Sequence, residues 1–182
     1  MNKKLLIIIS FFFFLSVFNY CKCPPERYFD FNSIEVRVDN IIIPQNGKLE
    51  MRIIQTDIIH LTKRTNYHLD FGGTAYATSV CEPGYDGEKY PVVRVRVSSD
   101  SDFNENYLAG NDLTDIIKVN VVRNGKIVLD YLKNCQIDRY TFYNILFIEE
   151  RPTISKTHIF TVEFEKSNGE IITGISPEIT WE

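Results

Sequence analysis

The chain has no basic excess: Lys and Arg number 20 against 24 Asp and Glu in 182 residues, a formal charge of −4. Nucleic-acid partners are held mainly by Lys and Arg neutralising phosphates, so this balance argues against them. It argues equally against direct attraction to anionic lipid headgroups. Long amphipathic helical runs are absent too, which excludes a helical bundle or a doubly wound α/β fold. No G-x-S-x-G elbow, H-E-x-x-H helix or G-x-G-x-x-G loop occurs, so the sequence signals of a serine hydrolase, a zincin and a dinucleotide site are missing. Phe71-Gly72-Gly73 lacks the spacing of a phosphate loop, and its paired glycines fit a bulge better. No catalytic residue is assigned.

What is present begins with Lys3 and Lys4, followed by an apolar stretch from Leu5 to Phe18. That stretch is too short for an ordinary span, which needs about 20 apolar residues. The small residues of an A-x-A-like cleavage site are also lacking, since Phe18, Asn19 and Tyr20 come before Cys21. A cysteine directly after an apolar run is where a lipoprotein signal places the residue that receives lipid. The expected organisation is therefore a signal over residues 1–20, lipidated Cys21 with a tether through residue 32, and one domain over residues 33–182. Tyr20 occupies the place where a strict lipobox has a small residue, and an uncleaved amino-terminal anchor is the alternative. Loss of residues 1–20 leaves 18 basic and 24 acidic side chains, a net charge near −6. Attachment to the membrane would then come through the lipid, and stable anchoring takes more than one acyl chain.

Four cysteines are present: Cys21, Cys23, Cys81 and Cys135. With Cys21 lipidated in an oxidising compartment, one disulfide and one free thiol is the simplest arrangement. Cys81 with Cys135 is the favoured pair, because Cys23 sits beside Pro24-Pro25 in the tether. Cys21-Lys22-Cys23 has no second Cys or His pair nearby to complete a zinc tetrahedron.

Period-2 alternation dominates the rest. "SIEVRVD", "LEMRI", "VVRVRVSS" and "IFTVEFE" place Ile34/Val36/Val38, Leu49/Met51/Ile53, Val93/Val95/Val97 and Phe160/Val162/Phe164 on inward faces. "TFYNILFI" is apolar on both parities except at Asn144 and reads as a central strand. Asn-Gly occurs at 46–47, 124–125 and 168–169, with Asp86-Gly87 as a related pair, and these predict hairpin turns. The fold class follows: all-β, an antiparallel β-sandwich, immunoglobulin-like in general architecture, with long loops. A small open barrel is the alternative.

The stretch from Ser98 to Asp115, "SSDSDFNENYLAGNDLTD", interrupts the strands. Asp100, Asp102 and Asn104 alternate oxygens in the D-x-D-x-N manner of calcium loops, and Asp112 is a further ligand candidate. Glu105 stands where an EF-hand loop has glycine and Asn111 where it has its bidentate Glu, so any calcium site would be irregular. No other cofactor is expected. His60 and His68, with Asp70 two residues on, form a candidate metal or acid/base cluster. Tyr85, in "CEPGYDGEKY", and Tyr107, in the acidic loop, are the tyrosines expected to be exposed for partner binding.

"CPPERYFDF", "SSDSDFNENYLAGNDLTDII" and "ISPEITWE" together resemble a family of lipoproteins from Bacteroidetes known only as a domain of unknown function. The resemblance covers most of the exported chain. It implies an envelope lipoprotein with a β-sandwich domain and no established catalytic residues. The functional expectation is a non-enzymatic protein, lipid-anchored to the outer membrane and facing periplasm or cell surface, that binds an envelope protein or a glycan. The alternatives are a small exported metal-assisted hydrolase and a structural subunit of an envelope complex.

Overall fold

The computed structural model describes residues 26–62, 83–84, 86–135 and 141–182, the side chains of 62 and 141–143 excepted. These residues fall into two units. Asp30–Ile59 and Tyr90–Glu182 form the larger, while 26–29, 60–62, 83–84 and 86–89 belong to the smaller. Within the smaller unit the backbone of Phe29 pairs with Gly87 and Lys89, Gly84 N–H donates to the Glu26 carbonyl, and Arg27 Nε meets Asp86 Oδ2 at 2.7 Å.

The strands are β1 (Glu26–Val38), β2 (Ile42–Ile43), β3 (Leu49–Thr62), β4 (Val92–Ser99), β5 (Ile117–Arg123), β6 (Lys126–Tyr131), β7 (Thr141–Ile148), β8 (Thr157–His158), β9 (Phe160–Lys166), β10 (Ile171–Ile175) and β11 (Ile179–Trp181). One short 3₁₀ turn, Leu132–Asn134, follows β6. The strands form a five-stranded sheet in the order β1-β3-β7-β5-β6, a three-stranded sheet β10-β9-β4, and a small sheet β2-β11-β8. Taken in chain order, β1-β3-β7-β5 and β4-β9-β10 are the A-B-E-D and C-F-G sheets of an immunoglobulin constant-type sandwich. Strand β6 extends the first sheet by one hairpin. The sandwich expectation therefore holds, and no closed barrel forms among the described residues.

Alternation explains the core. Val36, Leu49, Met51, Val119, Leu146 and Ile148 from the first sheet meet Val95, Val97, Phe160, Val162, Phe164 and Ile172 from the second in one buried cluster. Each such side chain contributes roughly 1.5–3 kcal/mol by leaving water. Strand β7 is central as expected, between β3 and β5, with Phe147 of its other face also buried beneath the Lys48 ammonium, 4.6 Å from the ring centre. The sheets approach closely at Gly174 of β10, where a Cβ would stand 2.9 Å from both Ile34 and Val36.

Three local readings differ from expectation. A register shift between Val92 and Arg94 bulges β4, so Val92 is buried and Val93 is half exposed, although alternation had placed Val93 inward. Two adjacent valines leave the phase of a strand undetermined, and a bulge resolves it locally. Asn124-Gly125 is the expected two-residue hairpin turn, both residues having positive φ (51° and 73°). Asn168-Gly169 instead belongs to a three-residue loop, with Lys166 N–H donating to the Glu170 carbonyl, and Asn46-Gly47 closes a turn onto the Pro44 carbonyl. Strand β1 starts at Glu26, inside the stretch read as tether, and Phe31 is fully buried.

Candidate functional site

The acidic connection between β4 and β5 is a folded part of the sandwich. Phe103, Leu113 and Ile116 are buried in the core. Leu113 N–H donates to the Val97 carbonyl and Gly110 N–H to the Ser99 carbonyl, so the loop lies along the open edge of β4 and covers it. Its polar side chains cap backbone donors, most of them its own. Asp100 Oδ1 accepts from Ile159 N–H at 2.8 Å, Asp102 Oδ1 from Ala109 N–H at 2.8 Å, Asn104 Oδ1 from Asn106 and Tyr107 N–H, and Asp112 Oδ1 from Thr114. Short acceptor side chains are the residues that can close such turns. Each of the four calcium candidates thus serves a different backbone donor. Among the described residues no group of three or more His, Cys, Asp or Glu is placed to hold a metal ion.

Tyr107 was expected to be exposed and is half-buried, packed against the core. Burial pushes its phenol above the usual range near 10.0, and the charges of Asp115 and Glu150 add to the rise. The backbone of Tyr107 bridges Asn104 and receives Phe103 N–H, which turns the ring inward. Tyr85, His68, Asp70 and Cys81 lie outside the described residues, so the His60–His68–Asp70 cluster does too, while Cys135 carries a free thiol and the expected Cys81–Cys135 disulfide is not seen. His60 ends beside Gly84, where a Cβ would lie 3.4 Å from its Nδ1. Cys21 and the apolar run before it are likewise outside the described residues. Among the described residues no helix is long and apolar enough to cross a membrane.

Two of the expected residues do come together. Asp112 and Cys135 line a hollow of about 400 Å³ whose other walls are Val93, Arg94, Val95, Thr114 and Leu132. The β4 bulge makes it, because the extra residue turns Val93 and Arg94 outward side by side. Val95 and Leu132 form a buried apolar floor. The rim is charged: Arg94 stands 4.0 Å from Asp112 and 3.9 Å from Glu165, both pairs well exposed and only loosely engaged. Cys135 is a free, half-buried thiol that donates to the Tyr131 carbonyl at 3.2 Å. Burial pushes this thiol up, Asp130 pushes it further, and Arg123 opposes them. It therefore stays protonated near neutral pH and is a poor nucleophile. What the hollow offers chemically is an apolar floor, a guanidinium, a carboxylate and a hydroxyl, which is the equipment of a binding surface.

Two polar residues missed in the sequence are buried without joining the hollow. His158 is fully enclosed by Phe103, Phe160 and Trp181, ring centres 5.4–5.7 Å away. Its Nε2–H donates to the Ser155 carbonyl at 2.8 Å, leaving Nδ1 to accept from the Ser99 hydroxyl at 2.8 Å. Although this is a Ser–His contact, neither residue reaches water, Ser99 being 4% and His158 0% exposed. A nucleophile needs access to a substrate, so the pair holds β4 to β8 instead. Lys166, with 0% of its side chain exposed, meets Asp30 Oδ1 at 2.7 Å, Glu170 Oε2 at 3.2 Å and the Phe31 carbonyl, with the Phe31 ring centre 4.4 Å away. Their only sequence signal was a polar residue on an inward-facing parity of a strand.

Comparison with family models, curated proteins and solved structures returns no match to this chain.

Proposed function

We propose that this protein is an envelope lipoprotein, anchored through Cys21 in the outer membrane, whose sandwich binds an envelope protein or glycan through the β4 hollow. The observation that carries the binding reading is the bulge at Val92–Arg94, which holds an apolar side chain, Val93, 51% exposed beside Arg94 and Asp112. An exposed apolar residue ringed by polar ones over a buried floor is how recognition sites are built. The anchor reading rests on Lys3-Lys4, the Leu5–Phe18 run and the cysteine that directly follows Tyr20. An alkyne fatty acid fed to the producing cells should label the wild-type protein and leave Cys21→Ala unlabelled. Label persisting on Cys21→Ala would move the anchor to another residue or remove it.

A further inference from the structure

The outer edge of the five-stranded sheet is strand β6, Lys126-Ile127-Val128-Leu129-Asp130-Tyr131. Sandwich proteins commonly blunt such edges with proline, bulges or inward charges. Here the β5–β6 register runs unbroken from Lys118↔Tyr131 to Arg123↔Lys126, the strand has no proline, its charged residues are the opposite pair Lys126 and Asp130 on the same face as Val128, and Ile127, Val128 and Leu129 are 66%, 37% and 39% exposed.

The hydrogen-bonding phase follows from the turn. Arg123 and Lys126 flank a two-residue hairpin turn and exchange backbone bonds, so Lys126, Val128 and Asp130 point their N–H and C=O groups at β5. Ile127, Leu129 and Tyr131 point theirs away. Tyr131 is already engaged: its N–H donates to Asp130 Oδ1 at 2.8 Å and its carbonyl accepts from the Cys135 thiol. Ile127 and Leu129 are left to offer an outward ladder.

We propose that the partner of this edge is β6 of a second copy, paired antiparallel about a two-fold axis at Val128. In that register Ile127 exchanges backbone bonds with Leu129 of the other copy and the reverse, which uses the open groups and avoids Tyr131. Lys126 of one copy faces Asp130 of the other in a non-hydrogen-bonded pair, twice, the closest side-chain spacing a sheet offers. Asp130 keeps Arg123 of its own chain on its other side. Val128 meets Val128 on the core-side face, and Ile127 meets Leu129 on the opposite face. A strand reading Lys-Ile-Val-Leu-Asp is complementary in charge and apolar character to its own reverse, as an isologous contact requires.

Oxidative cross-linking of the purified full chain in detergent, at a concentration on the order of 100 µM, tests the register. Two Val128 residues on the axis have Cα atoms about 4.5 Å apart, within disulfide reach. Val128→Cys should therefore give a covalent dimer on a non-reducing gel, absent from wild type, while Ile127→Cys, which faces Leu129 and not itself, gives at least tenfold less. Leu129→Pro removes an outward donor without touching the β5 ladder, and should turn a sedimenting dimer into a monomer with the circular-dichroism spectrum kept. Should Leu129→Pro fail to fold, the cysteine pair decides alone. A monomeric wild type at that concentration, or equal cross-linking at 127 and 128, would overturn the proposal.

Discussion

The Lys166 side chain has no exposed surface, and its ammonium is met by Asp30, Glu170 and the Phe31 carbonyl. Breaking such a pair from the acid side leaves a cation with no exposed surface, whereas replacing the lysine by an apolar side chain leaves a carboxylate that is 13% exposed and still accepts Phe31 N–H. Asp30→Ala should therefore cost about 3 kcal/mol in urea melts and Lys166→Met clearly less, despite its larger chemical change; the reverse order would make the ion pair a minor contributor. Tyr107 adds a pH-dependent component. Its folded pKa is raised, so its stabilising effect is whole below the unfolded value near 10.0 and is lost as pH climbs from there through the folded value. Wild type should lose more stability than Tyr107→Phe between about pH 9 and pH 11. Equal alkaline losses in thermal melts would show that the phenol does not matter. Neither residue was legible as a core group, because a lysine on a strand and a tyrosine in an acidic loop both look solvated until long-range packing encloses them.

The hairpin β5–β6 was legible at the level of the element, since Asn124-Gly125 forces positive φ and the flanking residues alternate. The connection before it was not. Its aspartates resemble ligands in spacing, yet the same short carboxylates satisfy backbone donors, and spacing does not reveal that the donor to Asp100 is Ile159, between β8 and β9. Capping and ligation make different demands: a cap needs one acceptor oxygen, whereas calcium needs charge as well. Asp102→Asn should consequently keep the wild-type melting temperature, Asp102→Ala should lose about 1 kcal/mol with the Ala109 hydrogen bond, and millimolar calcium should shift none of them. A calcium-dependent rise in wild type that Asp102→Asn abolishes would restore the metal reading. The bulge of β4 escaped sequence reading for a related reason. Val92-Val93 fits either phase, and the choice is made by pairing with Glu165 and Lys166 of β9, more than 70 residues downstream in sequence.

For the whole molecule, alternating strands, hairpin turns and the lack of long helical runs let the sandwich class be read in advance; the small β2-β11-β8 sheet could not be, because two- and three-residue strands carry no periodicity. The proposed address rests on Cys21 and the apolar run before it, while the proposed contact surface needed the bulge, the acidic connection and the 3₁₀ turn after β6 to be brought together around one hollow. That hollow is the centre of the functional account. A photo-cross-linking amino acid placed at Val93 in intact producing cells tests it most directly, with Ile171 of β10, 62% exposed against 51% for Val93, as the control. The account predicts a discrete adduct at position 93 and none at 171; adducts at both positions alike, or at 171 alone, would contradict it.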